Sequence, residues 1–213
     1  MKIFSAFNAV VAMVLLWGMT CRAENLLYNG DFEDGEVSWS LFAPGDASVS
    51  GCDWSITLEE SHNGTSSAAL ISPEPVRYGI VNYVKDHVFM PGQRYRVTAW
   101  VKAGEDFQPN YDKPGFLLRV TMFSTVDGWD NATNGILYLG VNDRLMRGKD
   151  ISVFDGQVMP TEWTKLEAVF EASPETAKMN VSLFVWDASG SFYVDDVSLE
   201  LVDESTPLSV SIE

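Results

Sequence analysis

From Glu24 onward the apolar residues come in short runs that alternate with polar ones and stop at Gly, Pro, Asn or Asp. Over Arg94–Lys102, Tyr95, Val97, Ala99 and Val101 fall on one parity and Arg96, Thr98, Trp100 and Lys102 on the other. That is the period of a half-buried strand, entered through the turn Met90-Pro91-Gly92. Phe116–Ser124 repeats the pattern, as does Asn180–Asp187, where Val181, Leu183 and Val185 oppose Ser182, Phe184 and Trp186. Ala68–Ile71, Gly79–Val84, Thr164–Glu171 and a segment around Val194 read as further strands. No window keeps a helical period for three turns, and Pro174–Ala177 predicts a single turn. Eight or more strands separated by turn signals predict an all-β fold, a sandwich or jelly roll of two antiparallel sheets.

Asn25–Gly35 joins a short apolar run to an Asn-Gly turn, a Phe-Glu pair and a second turn glycine. It is expected to close the sandwich by pairing with Phe192–Glu200. The stretches 103–115, 125–135 and 140–160 are long for hairpins, and long loops on a rigid scaffold are where binding usually resides. They carry Phe107, Tyr111, Trp129 and Phe154 as expected exposed aromatics. Residues 203–213 read as a polar tail, which leaves 24–202 as one module.

Lys2 followed by the apolar run Ile3–Leu16 reads as a secretory signal, with Cys21-Arg22-Ala23 offering small residues for cleavage before Glu24. A lipid anchor on Cys21 is the alternative, although Gly18-Met19-Thr20 fits a lipobox poorly. No later run is apolar enough to span a bilayer. The expectation is a secreted or surface-attached monomer. Cys52 is then the one remaining cysteine, which leaves no intrachain disulfide and no cysteine metal cluster. Three sequons begin at Asn63, Asn131 and Asn180.

Charge narrows the partners. The chain has 14 Lys+Arg against 30 Asp+Glu, a net of −16; without Lys2 and Arg22 of the leader it is −18. Nucleic acid and polyanions need basic neutralisation, so a surface this acidic disfavours them. It suits neutral ligands and calcium.

The order of several motifs resembles the CenC-type carbohydrate-binding modules of families 4, 9 and 22. The opening is Asn25-Leu26-Leu27 with Asn29-Gly30-Asp31-Phe32-Glu33-Asp34-Gly35 and Trp39. His62–Ala68, Pro91–Ala103, Glu162–Leu166 and Phe192–Leu199 follow in family order. The resemblance implies a jelly-roll, galactose-binding-like sandwich that holds a polysaccharide in a cleft on its concave sheet. It also implies a structural calcium near the joined termini, for which Glu33 and Asp195 match the ligand role and the 64–66 turn could add carbonyls. Strand alternation turns Asp31 and Asp196 away from that role.

Sugar rings offer apolar CH faces fringed by hydroxyls, so flat aromatics with polar neighbours are the chemistry to look for. The ranked aromatics are Trp129, Tyr83, Tyr78, Trp54, Trp100 and Trp186, with Arg119 and Asn82 as polar partners; Trp39 and Trp163 read as core. A glycoside hydrolase or lyase is the alternative, since acidic pairs are plentiful. The cluster Asp31–Glu36, however, has the wrong spacing for an alternating acidic strand, and Glu59 and Glu60 point opposite ways. His62 and His87 read as solvated, with no Ser-His-Asp spacing. A structural or adhesion domain that binds protein or cell-surface glycan is a third reading.

Overall fold

The computed structural model describes residues 24–43, 51–109, 115–140, 144–147 and 159–213. The expected leader (1–23), Tyr111 and Phe154 lie outside the described residues. Ten strands are found among them: β1 Trp39–Phe42, β2 Asp53–Thr57, β3 Ser67–Tyr83, β4 Arg94–Ala103, β5 Gly115–Phe123, β6 Asn131–Gly140, β7 Arg144–Arg147, β8 Thr164–Glu171, β9 Lys178–Val202 and β10 Ser209–Ile212. Every ladder is antiparallel.

Two of these strands are long enough to serve both layers of the sandwich. Residues 76–83 of β3 pair with 180–188 of β9, flanked by β1 on one side and by β5, β6 and β7 on the other. Residues 68–72 of β3 pair with 190–194 of β9, and this half is flanked by β2 and by β4, β8 and β10. One core fills the space between the layers. Tyr95, Val97, Ala99, Leu166, Ala168 and Phe170 from one side meet Phe116, Leu118, Val120, Leu137 and Leu139 from the other. The valine, leucine and phenylalanine side chains among them each contribute roughly 1.5–3 kcal/mol by leaving water.

Ala68–Ile71 and Gly79–Val84, expected as separate strands, are one strand bent at register slips between Ser72, Val76 and Arg77. Pro73 and Pro75 sit in that slip, where a residue without an N–H costs no ladder bond. The two strands expected at the end of the chain are likewise one. Here the irregularity comes at Asp187 (φ 54°), Gly190 (φ 91°) and Asp196 (φ 46°).

Two expectations are corrected. Residues 203–213 are not simply a polar tail: β10 lies along the edge of β8, with Val210 and Ile212 against the core. Arg94 holds the connection by donating from Nη1 to the Thr206 carbonyl at 2.6 Å. Asn25–Gly35 is not a strand beyond a single bridge from Asn25 to Glu200. It runs beside the last strand through Leu26 N–H to Leu199 O (2.8 Å) and Val197 N–H to Gly30 O (2.8 Å), then folds into turns. Gly30 is needed there, because a Cβ would strike the Val197 carbonyl. Asn29 and Phe32 take positive φ, and Phe32 and Trp39 bury their rings 5.0 Å apart.

His87 is not solvated as expected but half-buried beside Phe89 and Tyr95. The Tyr95 hydroxyl donates to Gln93 Oε1 (2.6 Å), so His87 Nε2–H must donate to Tyr95 (3.0 Å). Burial holds the imidazole below its ordinary value of 6.5. The unfolded chain therefore takes up this proton at higher pH than the folded one, so the contribution is complete above 6.5 and is lost as pH falls below it. Thermal melts at pH 7 and pH 5 are expected to show a drop in Tm that is smaller in His87→Phe. An unchanged slope in that variant would contradict this.

Candidate functional site

In the layer built on β5, alternation sends Phe116, Leu118, Val120 and Met122 inward, and so Leu117, Arg119, Thr121 and Phe123 outward. The same parity on β9 turns out Asn180, Ser182, Phe184 and Trp186, on β6 Ile136 and Tyr138, and on β3 Arg77, Gly79, Val81 and Tyr83. Cross-strand pairing orders these side chains into rows. Arg77, Trp186 and Gly115 share one end; Gly79, Phe184, Leu117 and Gly140 come next. Val81, Ser182, Arg119 and Tyr138 form the middle row, then Tyr83, Asn180, Thr121 and Ile136. Six residues from Arg77 to Tyr83, at about 3.3 Å each, separate the ends by about 20 Å.

The face has an aromatic group at each end. At one end the Arg77 guanidinium lies 4.5 Å over the Trp186 ring and pairs with Asp187 at 3.6 Å. At the other, Trp129 is 66% exposed at the tip of the turn between β5 and β6. Its ring meets Tyr83 (5.8 Å) and Phe123 (5.6 Å) edge-on, and Lys178 Nζ lies 4.0 Å from its centroid. The same ammonium donates to the Gly128 carbonyl at 2.8 Å, and Ser124 N–H closes the turn on Asp130 O at 2.8 Å. An exposed tryptophan is thus fixed in place from three sides. A hollow of about 380 Å³ lined by residues 130–136 adjoins it, and Thr133 at its rim donates from N–H and Oγ1 to Glu175 (both 3.0 Å). Between the ends, Arg119 Nε donates to Ser182 Oγ (3.1 Å), and burial pulls its guanidinium below the ordinary value, opposed by Tyr138.

The structure therefore brings Trp129, Tyr83, Trp186 and Arg119 onto one face and leaves the other four named side chains elsewhere. Tyr78 is wholly buried in the core and has no ring face to offer a ligand. Asn82 is also buried on the inner side, donating to the Tyr28 carbonyl at 2.9 Å. Trp54 packs against the core from β2. Trp100 lies on the outer face of the opposite layer, where His62 stacks on it at 3.6 Å. That layer has a shallow cleft of about 1000 Å³ whose walls include Arg96, Glu167, Lys165 and Glu200. Arg96 pairs with both glutamates across strands, and Lys165 pairs with Glu167 along β8, so these charges on the cleft wall offset one another. Phe107, expected in an exposed loop, is buried against Phe192 at 5.3 Å. Phe123, Tyr138, Phe184 and Lys178 were not singled out in the sequence. The parity of Arg119 carries Phe123 and that of Trp186 carries Phe184 and Lys178, whereas Tyr138 is placed only by its register against Arg119.

Glu33 and Asp195 act as acceptors at the joined termini. Glu33 Oε1 takes the N–H groups of Thr65 (2.7 Å) and Ser66 (2.9 Å), and Oε2 takes the Thr65 hydroxyl (2.7 Å). Gly64, at φ 67°, lets the carboxylate approach, since a Cβ would collide with it. Asp195 Oδ2 takes the N–H groups of His62 (2.8 Å) and Asn63 (3.2 Å), and Oδ1 that of Asp196 (2.7 Å). Its burial lifts the carboxyl to about 6 against the pull of those donors. His62 is not solvated as expected; its Nδ1 lies 2.6 Å from Asp196 Oδ2. Calcium wants six to eight oxygens. Every oxygen of these two carboxylates faces a hydrogen-bond donor, and no three Asp, Glu, His or Cys side chains converge among the described residues. Two carboxylates alone would leave most of a calcium shell to backbone carbonyls and water.

Residues 24–134 match the family CBM_4_9, described as a carbohydrate binding domain. No curated protein matches the chain. Among solved structures, the CBM22-1 xylan-binding domain of Paenibacillus barcinonensis Xyn10C is similar with 18% identity and a TM-score of 0.54, covering 85% of this chain and 96% of that one. The C-terminal family 22 carbohydrate-binding module of Clostridium thermocellum Xyn10B is similar with 14% identity, TM-score 0.54 and the same coverages. The enzymatically active domain of tailspike protein 4 from bacteriophage CBA120 aligns with 13% identity and a TM-score of 0.53 over 84% of this chain. The chain spans 21% of that protein's length. At these identities the likeness is one of fold, the β-sandwich of carbohydrate-binding modules.

The donors around Glu33 hold its carboxyl below the ordinary range, the Thr65 hydroxyl foremost. The folded pKa is depressed, so the stabilisation is present above the ordinary carboxylate value and is lost as pH falls through the folded one. Glu33→Gln is expected to lower Tm at pH 7, with the gap to wild type closing in acid melts. A gap that stays constant down to pH 2 would contradict the assignment.

Proposed function

The chain belongs to the CBM_4_9 carbohydrate-binding domain family, and from that membership we propose that it is a secreted module that holds a neutral polysaccharide of the β-glucan or xylan type on the outer face of the β5 layer. The observation that carries this reading is the exposed Trp129 ring, fixed by Tyr83, Phe123 and Lys178 at the edge of a face that also presents Arg119. A flat ring held in one orientation offers stacking area without an ordering cost at the moment of binding. The charge around it favours neutral sugar over uronate, since Asp127, Asp130 and Glu175 are exposed in or beside this turn. The 20 Å between the Trp186 and Tyr83 ends suits an oligosaccharide rather than a single ring.

Glu33 and Asp195 fasten the 62–66 turn to the first and last segments by hydrogen bonds, and we assign them that role in place of a calcium ion. Melts with added calcium and with chelator are expected to coincide. A rise in Tm with calcium that Glu33→Ala abolishes would establish the ion instead.

Affinity electrophoresis in soluble xylan and β-glucan is expected to retard the protein. Trp129→Ala and Tyr83→Ala should each weaken binding on the order of tenfold, the loss of one stacked ring. Unimpeded migration of the wild type in every neutral polysaccharide, or release of reducing sugar by the purified protein, would contradict the proposal.

A further inference from the structure

Two carboxylates grip the 62–66 turn by its backbone N–H groups, Asp195 taking those of His62 and Asn63 and Glu33 those of Thr65 and Ser66. Gly64 lies between the two grips, and among the described residues its N–H has no acceptor. The Asn63 side chain is exposed and makes no hydrogen bond there either. An untethered carboxamide therefore adjoins an untethered glycine nitrogen. The sequence holds two other Asn-Gly pairs, at Asn29 and Asn134, and the fold treats both differently. Asn29 is 9% exposed, its Nδ2 donates to the carbonyls of Gly35 (2.8 Å) and Val37 (3.0 Å), and its Oδ1 accepts the Asp34 N–H (2.9 Å). Asn134 is exposed, but Gly135 is buried in β6, where a Cβ would meet the carbonyls of Met122 and Ala132.

We propose that Asn63 is a covalent modification site: it deamidates spontaneously, and the product loosens the hold of Glu33 and Asp195 on this turn. Asparagine is among the thermally labile side chains, and a following glycine has no Cβ to shield its nitrogen. The Gly64 nitrogen gives up its proton and attacks Asn63 Cγ; the N–Cγ bond forms, the Cγ–Nδ2 bond breaks, and Nδ2 leaves as ammonia. Water then opens the cyclic imide at either carbonyl. One opening leaves aspartate and the other isoaspartate, so the sum is amide plus water to acid plus ammonia. Either product adds a carboxylate to a turn that already faces Glu33, Asp195 and Asp196. Isoaspartate also routes the main chain through Cβ, which lengthens the path from the Asn63 N–H to the Thr65 N–H. Asp195 and Glu33 can then no longer both keep their donors, and a buried carboxylate that loses a donor is destabilised. This chemistry is independent of any sugar bound on the β5 layer.

Peptide mapping by mass spectrometry, with isoaspartate-specific methylation, reads the conversion in folded protein held in mildly alkaline buffer. The amide-to-acid mass change is expected at Asn63 first, with Asn29 intact. In concentrated urea all three Asn-Gly pairs should convert at similar rates. The same order in urea would mean that local sequence and not the fold selects Asn63, and would overturn the structural assignment. Aged wild type should melt several degrees below fresh protein, whereas Asn63→Ser, which removes a side chain without a partner, should melt as fresh wild type does and stay there. Asn63→Asp carries the charge without the longer main chain, so a smaller fall in Tm is expected for it. Amide retained at Asn63 in the folded protein, or conversion of Asn29 or Asn134 ahead of it, would overturn the site. Conversion at Asn63 with no change in Tm would overturn its effect on the turn.

Discussion

The pairing of β3 with β9 is the constraint on which the rest depends. Both strands belong to both layers, so the register between them fixes how the layers meet and which side chains face out. Along β9 the inward residues are Met179, Val181, Leu183 and Val185, then Ala188, then Phe192 and Val194, then Val197 and Leu199. The parity changes twice. The first change comes at Asp187–Gly190, where the strand passes from one layer to the other, and the second at Asp195–Val197, where β9 slips against β4. A β-bulge re-aims side chains and bends its strand. Here it turns the Asp195 carboxylate onto the amides of residues 62 and 63, which ties the last strand to the turn that Glu33 also grips.

These slips assign different work to the two faces. The outer face of the β4 layer carries paired charges, Arg96 with Glu167 and Glu200 across strands and Lys165 with Glu167 along β8. The outer face of the β5 layer is aromatic, with Tyr83, Trp129, Phe123, Phe184 and Trp186 around Arg119.

Much of this was legible in the chain because alternation is local. The β4, β5 and β8 segments and the inward stripes on them follow directly from period-two patterning. The inner and outer roles of Val181–Trp186 did as well. What failed depended on long-range geometry. Pro73 and Pro75 look like strand breakers, and only the slip against β9 shows that β3 continues through them. The 203–213 segment is too short and polar to announce a strand until β8 offers it an edge. Tyr78 and Asn82 were misplaced for a related reason: they share the inward parity of Ala68, Leu70 and Ile80, which is visible only once β3 is seen to be one strand. His62 lies in polar sequence and finds Trp100 only in the fold, and His87 likewise finds Tyr95.

The central claim is that sugar is held on the β5 face, at the Trp129 end. The most direct measurement is a two-dimensional NMR titration with xylo- and cello-hexaose, following the indole N–H signals. The account predicts saturable shifts for Trp129, with smaller ones for Trp186, while Trp39, Trp54 and Trp100 stay in place. Shifts concentrated at Trp100, on the opposite layer beside His62, would contradict it.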